Sequence, residues 1–161
     1  MKVLSLTEPY ATLIKEGKKK IETRSFKTSY CGELYIHASS TKVPKEWKQN
    51  KELMGLLGES ILNFGTIICK CNLVDCVYMT KEYVENMKTN NYKEYICGIY
   101  KEGRYAWILD NIEVIEKPIK AKGHLNIWNY DEKMNRRINF EEVKNESIIC
   151  NNKSSKNKKI L

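Results

Sequence analysis

The sequence predicts an α+β domain: a mixed, mostly antiparallel β-sheet curled into a small barrel, with helices at its rim. Three observations predict it. The elements run helix, strand, strand, helix, long strand, helix, strand pair, strand, without the regular βαβ alternation of a doubly wound sheet. The stretch Thr66 to Tyr78 is rich in branched residues and too long for a flat strand, which suits a curved or bulged barrel strand. The 161 residues are 42% hydrophobic with only 8 Gly and 3 Pro, the composition of one compact unit and not of a disordered or collagen-like polymer.

Taken in order, Thr7-Glu8-Pro9 is a helix start. Thr7 offers a cap to free N–H groups, Glu8 suits the positive end of the dipole, and Pro9 is tolerated in the first turn. Tyr10, Leu13 and Ile14 recur at helical spacing before Gly17 supplies a stop. Lys20 to Phe26 alternates as a strand, with Glu22 and Arg24 on one side and Ile21 and Thr23 on the other. Glu33 to Ser39 is a second strand, with Leu34, Ile36 and Ala38 apolar and Tyr35, His37 and Ser39 opposite. Pro44 to Leu57 reads as one helix presenting Trp47, Leu53, Met54 and Leu57. After the long strand, Thr80 caps a helix to about Lys88, with Tyr83, Val84 and Met87 as its apolar face. Tyr95 to Tyr100, the turn Lys101-Glu102-Gly103 and Arg104 to Glu116 read as strand, turn, strand, and Gly123 to Trp128 as a last short strand.

The balance of 28 Lys plus Arg against 20 acids gives +8, which favours a polyanionic partner. Half of that excess lies from Met134 onward, so the chain divides into a domain over 1–133 and a basic, flexible tail over 134–161. The longest uncharged stretch, Ser60 to Cys69, is half the length needed to cross a bilayer, and the N-terminus lacks a signal peptide. The expectation is a cytoplasmic protein with no membrane partner. Its six cysteines then read as free thiols, buried or half-buried. No Cys-x-x-Cys occurs and His37 and His124 lie far from the cysteines in sequence, so no metal site and no cofactor are expected.

The densest polar cluster is Gly17-Lys18-Lys19-Lys20-Ile21-Glu22-Thr23-Arg24-Ser25-Phe26. A helix stop and a strand start put several cations and a carboxylate where the chain turns. The bland reading is a solvated basic turn followed by a Glu22–Arg24 ion pair; the functional one is a binding site. The opening Leu4-Ser5-Leu6-Thr7-Glu8-Pro9-Tyr10, followed by Gly17-x-Lys19-x-x-Glu22-x-Arg24-Ser25-Phe26, closely resembles the signature of the activating signal cointegrator homology (ASCH) family. Gly103-Arg104-Tyr105-Ala106-Trp107-Ile108-Leu109-Asp110-Asn111, then Lys117-Pro118-Ile119, Gly123 and Leu125-x-Ile127-Trp128, resembles that family's closing strands.

The resemblance covers about residues 2 to 130 and implies a PUA-like fold, related to modules that bind RNA. It implies a cleft between barrel and helices lined by Lys19, Glu22 and Arg24, with Pro9 and Tyr10 beside it. Two departures are Glu8, where Gln is frequent, and Phe26, where the motif closes on Trp; the first is expected to add negative charge near the cleft. Small bacterial relatives remove the acetyl group from N4-acetylcytidine with a Lys and a Thr three positions later; here Lys19 matches the Lys, but Glu22 stands at the Thr. Amide hydrolysis needs a base or nucleophile poised near neutrality. Burial would free the Lys19 amine for that task, whereas Glu22 would hold it as an ammonium. His37, beside Tyr35 and Ser39, is a further candidate for the cleft. Two functions lead, a protein that binds RNA or a nucleoside through Pro9, Tyr10, Lys19, Arg24 and His37, or an amidohydrolase with Lys19 as base and Glu22 in support; an interaction module with no small ligand also remains open.

Overall fold

The computed structural model describes residues 1–137. Met1–Asn129 forms one compact unit. A second begins at Tyr130, and its described part is helical at 132–137. Most of the tail expected over 134–161, with Cys150, lies outside the described residues.

The first unit is built on a six-stranded sheet, curled as a half-barrel, in the order β2-β5-β4-β3-β1-β6. The strands are β1 (Lys2–Leu6), β2 (Ile21–Arg24), β3 (Gly32–Ala38), β4 (Thr66–Tyr78), β5 (Tyr105–Lys120) and β6 (Ile127–Asn129). β1 and β3 are parallel and every other pairing is antiparallel. The two long strands, of 13 and 16 residues, stay paired by slipping register at Ile67/Cys69, Lys70/Asn72 and Leu73/Asp75. Such bulges bend and twist a ladder, so β4 and β5 curl where a flat pair would splay.

Helix α1 (Tyr10–Lys15) buries Ala11 and Ile14 against Leu4, Leu34, Ile36, Ile68 and Trp107. Its other side gives Leu13 to a second cluster with Leu53, Leu57 and Cys97. Helices α2 (Lys45–Lys48) and α3 (Lys51–Leu57) replace the single helix expected from Pro44 to Leu57. The break is at Asn50, whose extended backbone lets its side chain accept the Leu53 N–H and start a new helix. Helix α4 (Lys81–Asn90) begins as expected, with Thr80 Oγ1 accepting the Tyr83 N–H at 3.0 Å.

Other expectations change. Thr7 does not cap α1; the Glu8 carboxylate accepts the Thr12 N–H instead, at 3.0 Å. Tyr95 to Tyr100 is no strand. One turn of helix, α5 (Tyr92–Tyr95), leads into an irregular segment whose backbone groups are taken by side chains: Cys97 O by Lys19, Ile99 N–H by Thr23 and Ile99 O by Arg104. With those groups occupied, no ladder forms there. Among the described residues no helix is long and apolar enough to cross a membrane.

Candidate functional site

Gly17, at φ +71°, turns the chain sharply out of α1, and the Lys18 and Lys19 N–H groups both donate to Leu13 O. Only a left-handed residue makes this turn without strain, and it carries Lys19 inward. Lys19 is 1% exposed, and its Nζ donates to Ile21 O at 2.6 Å and Cys97 O at 2.7 Å. The Glu22 carboxylate lies 3.5 Å away, and the Tyr10 ring centroid 5.3 Å. Three acceptors thus face a group with three donors when charged, the arrangement a buried ammonium needs. Buried Glu94 secures the same turn, accepting the Lys20 and Ile21 N–H groups at 2.9 Å each. Burial raises its carboxyl above the ordinary carboxylate range, against the opposing pull of Lys19 and of the two backbone donors.

Among the described residues strand β2 pairs only with β5; away from that ladder, Ile21 N–H donates to Glu94, and Ile21 O and Thr23 O accept from Lys19 and Arg104. Glu22 holds two cations: Lys19 on one side and, on the other, Arg24 Nε at 3.2 Å, close enough for an ion pair but out of line for a hydrogen bond. The Arg24 guanidinium lies 5.7 Å from the Trp107 ring centroid and reaches Ser5 O at 3.5 Å. Trp107 is in turn fixed by its indole N–H donating to Phe26 O at 3.3 Å. Arg104 is committed to the backbone, donating to Ile99 O and Thr23 O.

These groups surround a cleft of about 300 Å³. Lys19, Glu22, Arg24, Tyr10 and Trp47 line it, and Ser5, Thr7, Phe26, Gly98 and Arg104 are also among its lining residues. Tyr10 and Trp47 meet edge to face, with centroids 4.8 Å apart. Burial, reinforced by Glu22 and Cys97, pushes the Tyr10 phenol up to about 12, so it stays a neutral donor at physiological pH. The cleft therefore offers aromatic walls, a half-open guanidinium and one carboxylate, a donor and acceptor set suited to a planar heterocycle next to an anion.

Of the residues read from sequence, Tyr10, Lys19, Glu22 and Arg24 meet in this cleft. Pro9 is buried beside it and is not among the lining residues. His37 is fully buried and lies outside it. Its Nε2 hydrogen bonds to Ala121 O at 2.9 Å, which leaves Nδ1 to accept from Ser5 Oγ at 3.1 Å, and Ser5 Oγ in turn accepts the Trp128 indole N–H at 3.0 Å. Burial lowers the imidazole below its ordinary value and keeps this chain neutral. His37 thus ties β3 to β1 and to the segment before β6. Glu8 also departs from expectation. It is fully buried, accepts from Thr12 N, Thr12 Oγ1 and Asn63 N, and does not line the cleft. Sequence reasoning missed Trp47, Thr7 and Gly98 as cleft residues. Trp47 read as one member of a helix face, and nothing local marks the others.

The cysteines among the described residues are free thiols, with Cys69, Cys71 and Cys97 buried, Cys76 half-buried and Cys31 exposed. Burial pushes Cys69 and Cys71 up to about 12 and Cys97 to about 11, which leaves them protonated and inert.

Comparison with known proteins agrees with this architecture. The model of the ASCH domain matches residues 4–119. Activating signal cointegrator 1 of Homo sapiens is 26% identical over 136 residues, and its Mus musculus counterpart 25%; in each case the match takes in 83% of this chain and 23% of the relative. The chain therefore matches less than a quarter of the length of these relatives. Among solved structures, ASCH from Zymomonas mobilis superposes with a TM-score of 0.51 at 16% identity, covering 85% of this chain and 92% of that one. A point mutant of that Zymomonas mobilis protein gives the same score and identity, covering 85% and 94%. That likeness supports the PUA-like fold. With the family model spanning most of the compact unit, the chain belongs to the ASCH domain family.

Proposed function

We propose that this chain binds single-stranded RNA and that the cleft at Arg24 receives one of its nucleotides. The observation that carries the reading is the state of Arg24. Its guanidinium is held over Trp107 by Glu22, its side chain is 22% exposed, and among the described residues its Nη1 carries no hydrogen bond. A cation fixed in place with a donor to spare is prepared for a phosphate or a base edge, with little ordering cost on binding. Lys19 cannot fill that role because its donors are already engaged. Tyr10 and Trp47 supply the aromatic surface on which single-stranded bases stack. The family adds support, since PUA-like modules are related to RNA binders, and the charge of +8 favours a polyanion.

The test is fluorescence anisotropy with a labelled single-stranded RNA of about ten nucleotides, comparing the wild type with Arg24→Ala. The reading expects binding weakened about tenfold or more, the scale of a charge-assisted hydrogen bond. Equal affinity for both proteins contradicts it. Incubation with N4-acetylcytidine in parallel addresses the amidohydrolase reading; acetyl release by the wild type that is lost in a Lys19→Ala protein still folded by circular dichroism would replace binding with catalysis as the function.

A further inference from the structure

Beside the cleft runs a second, larger concavity of about 780 Å³. The two are continuous, because Ser5, Thr7 and Arg24 line both. Their chemistry differs. The cleft has aromatic walls and the Glu22 carboxylate, whereas the groove is lined by Arg24, Lys122 and His124 with no Asp or Glu among the described residues. Lys122 is exposed and makes no ion pair among the described residues. That sets it apart from Lys70, which faces both Glu33 and Glu113.

The groove is also lined by a turn of three consecutive hydroxyl residues, Ser39, Ser40 and Thr41. It is organised internally: Ser39 Oγ donates to Thr41 Oγ1 at 3.0 Å and accepts the Thr41 N–H at 3.2 Å. Two cations and a hydroxyl-rich turn on one lining make a surface for a sugar and its phosphate, which need donors and no stacking platform.

We infer that the groove holds the sugar-phosphate of the nucleotide next to the one in the cleft, so that the ligand is an oligonucleotide and not a free nucleoside, with Arg24 at the junction and Lys122 as the second phosphate contact. This rests on the reading of the cleft as a nucleotide site. The argument is one of continuity and charge. A nucleoside would fill the cleft alone and leave a larger groove, lined by cations and hydroxyls with no carboxylate among the described residues, unused, although the two share their most prepared cation.

Affinity and its salt dependence, measured on the full chain with 5′-mononucleotides and with a ten-nucleotide single-stranded RNA, test the inference for wild type, Lys122→Ala, Lys122→Glu and Arg24→Ala. Lys122 is exposed, so its variants keep the fold. We expect Lys122→Ala to weaken the RNA about fivefold and Lys122→Glu further. The slope of log affinity against log salt should fall by about 0.7, the contribution of one phosphate contact in a single strand. Mononucleotide binding should not change. RNA affinity and slope unaltered by both Lys122 variants, with Arg24→Ala still impairing binding, would overturn the groove while leaving the cleft intact. Insensitivity of both ligands to Arg24→Ala would remove the cleft reading, and the groove with it.

Discussion

Replacing Lys19 by Met should destabilise the domain by about 3 kcal/mol, because it removes one of the two cations at the Glu22 carboxylate and leaves Ile21 O and Cys97 O without their donor. Urea denaturation checks this, and a loss below about 1 kcal/mol would show that these groups find other partners. Reduced RNA binding in a Lys19 variant would thus be ambiguous, whereas Arg24, half-open at the rim, reports on binding itself. His37 makes a second prediction at this scale. Its folded-state value is lowered by burial, so the unfolded chain takes up a proton first as pH falls. Stability is therefore unaffected by His37 above the ordinary histidine value of 6.5 and is lost as pH drops below it towards the lowered value. Glu94, raised by burial, acts with the opposite sign at lower pH, so the comparison must be between proteins. His37→Gln should flatten the fall in melting temperature between about pH 6.5 and 5 relative to wild type. Parallel curves for the two proteins would show that the imidazole is not held neutral.

At the scale of elements, the segment between β5 and β6 presses on the buried chain from Trp128 through Ser5 to His37. A Cβ at Gly123 would lie 2.7 Å from His37 Cε1 and 2.9 Å from Ser5 Oγ, both confined by their hydrogen bonds. Gly123→Ala should accordingly cost about 1–3 kcal/mol, whereas Gly55→Ala in α3, with open space at that Cβ, should be neutral or mildly stabilising. Denaturant midpoints distinguish the two, and equal effects would mean that the loop yields freely. The same contacts explain what the sequence could and could not tell. Elements with a local cause were legible: the Gly17 stop, the Thr80 cap, the Gly103 turn at φ +90° and the long bulged strand β4. Elements decided by distant side chains were not. Ile96 to Tyr100 has strand-like composition, yet Lys19 and Thr23 take its backbone groups from 78 and 76 positions away, and Arg104 from the following turn. Strand β1 is only five residues long and its internal alternation is broken, so the family opening, and not its periodicity, marked it. Within the site, Lys19, Glu22, Arg24 and Tyr10 were readable from spacing and resemblance. His37 misled because a polar residue on a strand suggests an open face, when here the segment up to Gly123 covers it.

For the whole molecule, the fold explains why the motif sits where it does. The parallel pairing of β1 and β3 needs a crossover, and α1, the Gly17 turn and β2 lie on that crossover. Its path from β1, next to one edge of the sheet, to β2 at the opposite edge leaves Lys19, Glu22 and Arg24 lining the same cleft as Tyr10 and Trp47. Glu8 is buried among its own hydrogen-bond donors and does not line the cleft, so Glu22 is the one carboxylate on its described lining. The central claim is that this cleft takes a nucleotide. The three tryptophans mark it well: Trp47 lines the cleft, Trp107 lies under Arg24, and Trp128 belongs to the His37 network. The most direct measurement is a two-dimensional ¹H–¹⁵N spectrum of the full chain, titrated with each of the four 5′-ribonucleotides, following the indole N–H signals. The account predicts that at least one nucleotide shifts the Trp47 and Trp107 signals, and that Arg24→Ala abolishes the shifts. Signals of Trp47 and Trp107 that do not move with any nucleotide, or that move equally in Arg24→Ala, would contradict it.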